Sequence, residues 1–117
     1  MNESILNSVK KLLGLDSGYD AFNTDIIVHI NTFLGVLNEL GIGEKGFSIS
    51  GPEATWAMFL TDSEVSLNEV MTYVYLRVRM VFDPPTSSVL LLALNETIKE
   101  LEWRIREKGD KTFEEVS

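Results

Sequence analysis

Between Leu67 and Phe82 hardly any side of the chain is polar. On a helical wheel of about 100° per residue, Leu67, Val70, Met71, Val74, Tyr75, Val78, Val81 and Phe82 share one broad face. Tyr73, Leu76 and Met80 form a second face on the far side. Asn68, Thr72, Arg79 and Asp83 leave only a narrow polar stripe. A helix apolar nearly all round is buried nearly all round. Few elements of a small monomer are available to cover it, so the Tyr73/Leu76/Met80 face is expected to meet a partner. On that reading Leu76→Glu leaves the monomer helical and blocks assembly.

The signals around this segment are also helical. Ser66 and Glu69 have the spacing of a capping box, and Val65 with Val70 that of a hydrophobic staple, so the helix is expected over 66–82. Asp83-Pro84-Pro85 stops it. Thr86 or Ser87 then caps a helix through about Glu107, with a core stripe of Leu90, Leu91, Leu94, Ile98, Leu101 and Ile105 and an end at Gly109. Trp103 and Leu92 lie well away from that stripe, which points to a contact surface. Upstream, apolar spacing predicts a helix over 4–13, stopped by Gly14 with Leu15 folding back. A second is expected over about 25–40, capped by Asn23 or Thr24 and lined by Ile26, Ile30, Phe33, Leu37 and Leu40. Residues 43–53 are irregular and glycine-containing. Phe47-Ser48-Ile49-Ser50 alternates as a short strand would, and Thr55 caps a brief helix whose Trp56, Phe59 and Leu60 face inward. The expected fold is all-α: a small bundle of about four helices plus a short helix, with at most a minor strand at 46–50. The 117 residues make one domain, 1–117, with a frayed tail from about 109.

Charge and composition remove several classes of function. Ten basic and eighteen acidic residues give −8, concentrated in residues 1–76. Such a chain lacks the electrostatic footprint of a nucleic-acid binder or of a protein that sits on anionic lipid. Without cysteine there is no disulfide framework, thiol nucleophile or iron–sulfur site, and one histidine leaves no multi-histidine metal site. No apolar run approaches the ~20 residues of a membrane span. No signal peptide is read at the N-terminus, so the chain is expected in the cytoplasm when made.

Catalytic motifs are equally scarce. His29 lies at the margin of an apolar helical face, where histidine is usually structural. Asp62 and Glu64 are a carboxylate pair, but acids just ahead of a helix usually serve its dipole. There is no nucleophile elbow, phosphate loop or metal-ligand spacing. Arg77, at the edge of both apolar faces of its helix, is expected to snorkel or meet a carboxylate. Arg79 precedes Asp83 by four residues, the weaker orientation for a helical ion pair. No catalytic residue, cofactor or metal is expected.

Three motifs do carry a resemblance: Tyr73-Val-Tyr-Leu-Arg-Val-Arg-Met-Val-Phe-Asp-Pro-Pro85, Thr55-Trp56-x-x-Phe59-Leu60 and Glu100-Leu-Glu-Trp-Arg104. Together with a Gly46-Phe47-x-Ile49 stretch in the loop, and in this order, they resemble the head–tail connector, or adaptor, proteins of long-tailed phages and prophages, over about residues 20–107. The resemblance implies a non-enzymatic structural protein. It would form a ring, dodecameric in the family, that joins the portal of the DNA-filled head to the stopper and tail and lets DNA pass. The implied partners are further copies of the chain, the portal protein and the stopper or tail-completion protein, with no sequence-specific nucleic acid and no membrane. The implied place is the host cytoplasm during assembly and then the virion neck.

On this reading Tyr73, Tyr75, Leu76, Arg77, Arg79, Met80, Trp103 and Arg104 are candidate subunit or portal contacts. Trp56, Phe59, Phe82, Asp83, Pro84 and Pro85 are a structural motif, and Gly46, Phe47 and Ile49 belong to a flexible contact loop. The alternative is a small acidic helical regulator, antitoxin-like, that binds one protein. Gene order separates the two: an adaptor gene follows portal, protease and capsid genes, a regulator lies beside its target.

Overall fold

Ser4 opens the first helix: its hydroxyl accepts the Asn7 amide at 3.2 Å, which satisfies one of the free N–H groups of a helix start. The computed structural model describes residues 2–61 and 66–116, with side chains as far as 109. Five helices follow one another: α1 (Ile5–Leu12), α2 (Asn23–Glu39), α3 (Trp56–Phe59), α4 (Leu67–Phe82) and α5 (Ser88–Val116). The fold is all-α, as the sequence predicts. Among the described residues there is no strand at 46–50, only an isolated bridge between Ser4 and Thr55.

α4 occupies the centre. α2, α5 and α1 all pack on it. This placement answers the question set by its sequence. Val70, Tyr73, Val74, Leu76 and Val78 are buried, so both apolar faces contribute to the core, with Met80 half-buried and Val81 exposed at the end of the helix. The outward expectation for Tyr73 and Leu76 is therefore corrected. The covering comes from the chain's own elements, because α4 sits between helices instead of lying at the bundle's edge.

Other boundaries shift for readable reasons. α2 begins at Asn23, with Phe22 in the cap position and no side-chain cap. Neither Asn23 nor Thr24 caps it; both lie within its first turn. Ser66 is the N-cap of α4 as expected, yet the capping box does not form. Glu69 instead meets Lys108 of α5 at 3.3 Å, so it ties two helices together rather than closing its own. The staple through Val65, and the pair Asp62 and Glu64, lie outside the described residues. Ser87 caps α5 as expected, its hydroxyl accepting the Leu90 amide at 3.3 Å. Lys10 is 1% exposed, and its ammonium donates to the Ser17 carbonyl at 3.2 Å. That bond folds the α1–α2 connection back over the helix.

The largest departure is at the end of α5. Gly109 does not stop the helix, which continues to Val116. Gly109 is where α5 crosses the end of α2. A Cβ there would overlap the Leu40 carbonyl oxygen, and one on Gly41, whose φ is +86°, would lie 3.2 Å from the Gly109 oxygen. Two glycines let backbone meet backbone. At about 1.5 Å per residue, the 29 residues of α5 match the longest extent of the molecule, 43 Å.

The glycine segment has no regular structure of its own, and α2 holds it. The Asn31 side-chain amide donates to the Ile49 carbonyl at 3.0 Å and accepts the Ile49 amide at 2.7 Å. This is what a neighbouring strand would do. Two turns later, Asn38 donates to the Ile42 and Glu44 carbonyls and accepts the Gly46 amide. A loop expected to be flexible is thus clasped at both ends, and Ile42 and Ile49 are buried. Asn31→Ala removes both bonds at Ile49 and leaves its backbone groups unpaired, at a cost of about 1–3 kcal/mol. The expected result is faster hydrogen exchange at the Ile49 amide; unchanged protection there contradicts the clasp.

Candidate interaction surface

The residues that lie between α4 and α5 decide what remains outside. Glu102 of α5 accepts the Tyr73 hydroxyl at 2.9 Å and faces Arg77 at 3.6 Å and Arg106 at 3.5 Å. The Arg77 guanidinium also lies 4.7 Å from the Phe33 ring centre and 5.7 Å from that of Tyr73. Arg77 therefore meets a carboxylate, one of its two expected outcomes, and it joins α2, α4 and α5. Burial first, and then the hydrogen bond to Glu102, push the Tyr73 phenol up to about 12 from 10.0, with Arg77 and Arg106 opposing. The raised value means that the folded state holds the phenolic proton more tightly than the unfolded chain does. This contribution is complete below pH ~10 and is lost as pH rises towards about 12. Tyr73→Phe is expected to flatten the fall in unfolding midpoint across that window; an unchanged fall contradicts the assignment.

The other contact candidates separate by exposure. Met80 and Tyr75 are half-buried, and the Tyr75 hydroxyl accepts from Arg79 at 3.3 Å. Arg79 thus meets Tyr75, one turn back on its own helix. Tyr75, Arg79 and Asp83 line a cleft of about 230 Å³ with Leu12, Leu13 and Gly14. A larger groove of about 610 Å³ runs between α1 and the start of α4, over Leu12, Leu67 and Met71. Trp56 and Phe59 are core residues, and Phe82 packs edge-on against Phe22 with ring centres 5.3 Å apart. Asp83 closes the last turn of α4 by donating its amide to the Arg79 carbonyl, and Pro84 and Pro85 separate the two long helices. Gly46 is exposed, Phe47 half-buried against the Phe59 ring, and Ile49 buried.

Of the large apolar side chains left outside among the described residues, the most exposed are on α5. Trp103 is 62% exposed, Leu92 65% and Val89 78%. Arg104 is exposed and pairs with Glu100. Leu90, Leu91 and Leu94, expected in the core, are exposed or half-buried, whereas Ile98, Leu101 and Ile105 are buried. The signal for this was present: Val89–Leu94 is six successive apolar residues, and such a run goes right round a helix, so part of it must face away from the core. A second exposed group, Tyr19 and Phe22, precedes α2; a short connection has no helical period from which its exposed side could be read.

Among the described residues no cluster of His, Cys, Asp or Glu has the makings of a metal site, and no helix is long and apolar enough to cross a membrane. The surface is thus helical, apolar in patches and laced with ion pairs. A family model, described as Phage connector protein, matches residues 5–112. The chain belongs to the phage connector protein family. Searches of curated proteins and of solved structures gave no match. The connector family gives the chain a structural role in phage head–tail assembly, among head and tail proteins, and is generally non-enzymatic.

Proposed function

We propose that this connector is an adaptor: a ring of identical subunits that joins the portal of the DNA-filled head to the stopper and tail and lets DNA pass. The observation that carries the reading, beside the family match over 5–112, is the outward apolar surface of α5. Val89, Leu92 and Trp103 are the most exposed large apolar side chains among the described residues. Exposed aromatic and aliphatic side chains of this size mark protein contacts. Identical subunits supply such contacts repeatedly when they pack head to tail and close. The Asp83-Pro84-Pro85 break sets the angle at which α5 leaves α4, and so the direction in which its apolar first turns point. An acidic protein also suits a conduit, since a basic wall would grip the phosphates sliding through it.

The test is loss of the gene product in the phage that encodes it. DNA-filled heads and separate, complete tails are the expected result, with joining restored by the supplied protein. Joined particles formed in its absence contradict the reading.

A further inference from the structure

At one end of the bundle three aromatic rings stand in a row. Phe82, the last residue of α4, meets the Phe22 ring edge-on at 5.3 Å, and Tyr19 leans on Phe22 at 5.8 Å. Tyr19 and Phe22 are exposed, so the row is an apolar surface already in place. Its border is acidic. Asp16, Asp20 and Asp83 are exposed, and none of them meets a cation among the described residues. Residues 12–44, which include the whole α1–α2 connection, contain no lysine or arginine. The end of α4 adds to the same sign. Pro84 and Pro85 have no N–H, so the carbonyls of Met80 and Val81 lack the donors that a continuing helix would supply. The negative end of the α4 dipole thus lies beside the rings. Asp83 and Arg79 also line the cleft of about 230 Å³ whose opposite wall is the end of α1 at Gly14. The Arg79 guanidinium there donates to the Tyr75 hydroxyl.

We infer that this end of the bundle is a docking surface for an arginine-bearing segment of another protein: the Tyr19, Phe22 and Phe82 row takes the guanidinium and its aliphatic stem, and Asp16, Asp20 and Asp83 take its charge. Charge complementarity decides the sign of the partner, and the rings decide the residue. Arginine stacks on aromatic faces and offers planar N–H groups to carboxylates, whereas lysine brings a compact, strongly hydrated ammonium. The chain uses this combination itself: Arg77 lies 4.7 Å from the Phe33 ring centre while facing Glu102. A second copy is the poorer occupant. Arg77, Arg79, Arg104 and Arg106 are the chain's four arginines, and each already has a phenol or carboxylate partner within the chain. A contact made to a neighbouring copy replaces one already held, with little net gain. The partner is therefore a different protein, and for a connector that means a head or tail component. This last step rests on the assembly role above; the surface itself requires no ring.

A blocked hexapeptide of alternating arginine and leucine is the probe, with its lysine and glutamate counterparts beside it. Amide spectra of the full chain are recorded as each is added. The expected result is saturable shifts centred on residues 16–22 and 82–83. The arginine peptide is expected to bind at least about threefold tighter than the lysine peptide, the glutamate peptide not at all, and added salt to weaken the binding. Tyr19→Ala with Asp20→Asn, both at exposed positions, is expected to weaken it at least about tenfold. Circular dichroism checks that this variant keeps its helices. Equal binding of the arginine and lysine peptides, with shifts spread over the other acidic residues, is charge attraction alone and overturns the assignment. A variant that binds like the unaltered chain, or no binding at all, overturns it equally. Association between copies that the variant abolishes assigns the rings to a second copy and also overturns it. If the arginine peptide fails to bind while the protein still joins heads to tails, only this surface is wrong. If the peptide binds as expected while the protein joins no head or tail component, the adaptor reading is what fails.

Discussion

Leu76→Glu unfolds the protein, instead of leaving a helical monomer that fails to assemble. Leu76 is 5% exposed on the central helix, with Tyr73, Val74 and Val78 buried around it. The substitution removes a buried aliphatic side chain worth about 1.5–3 kcal/mol and puts an unpaired carboxylate in its place. A buried, uncompensated charge costs a further ~3–5 kcal/mol. Domains of this size have about 5–15 kcal/mol in all, so the folded population is expected to collapse. Circular dichroism and urea unfolding read this directly. Trp103→Glu is the control: at an exposed site away from the core its effect on stability stays within about 0.5 kcal/mol. A folded, helical Leu76→Glu protein would turn that face outward and contradict the packing described for α4.

Gly109→Ala has an expected sign opposite to the ordinary one. Glycine inside an exposed helix is about 0.8–1.0 kcal/mol worse than alanine, so the replacement normally stabilises. Here the added methyl overlaps the carbonyl oxygen of Leu40, and the facing residue, Gly41, has a φ of +86°. Backbone atoms give way less easily than a side-chain tip. The expected outcome is a loss of about 1–3 kcal/mol, with the contact between the ends of α2 and α5 loosened and larger losses for Gly109→Val. Chemical denaturation measures the change. A gain of stability from Gly109→Ala would mean that α5 does not cross α2 at this residue.

These two results mark where the sequence is transparent and where it is opaque. The core face of α2 was legible because Ile26, Ile30, Phe33 and Leu37 follow one helical stripe, and all four are buried. The caps Thr55 and Ser87 were legible because a hydroxyl just ahead of a helix satisfies its first amides. The role of Gly109 was not, since glycine has the same signature whether it ends a helix or admits another backbone. Nor was the covering of α4, because a helical wheel shows how much of a helix must be buried without showing what buries it. Asn31 and Asn38 lie opposite the apolar stripe of α2; Asn31 bonds a residue 18 positions on and Asn38 the turn that follows the helix, and periodicity shows neither. On the candidate surface, Trp103 stood out through its position opposite the stripe. Tyr19 and Phe22 did not, because a short connection gives no period against which to judge a side.

The central claim is that this connector works as a ring built on the portal, and solution mass tests it most directly. The purified protein is measured alone and mixed with the portal protein from the same genome. A closed ring, formed by the chain alone or only once portal is added, is the predicted result. A monomer under both conditions, with no mass added to the portal, contradicts it.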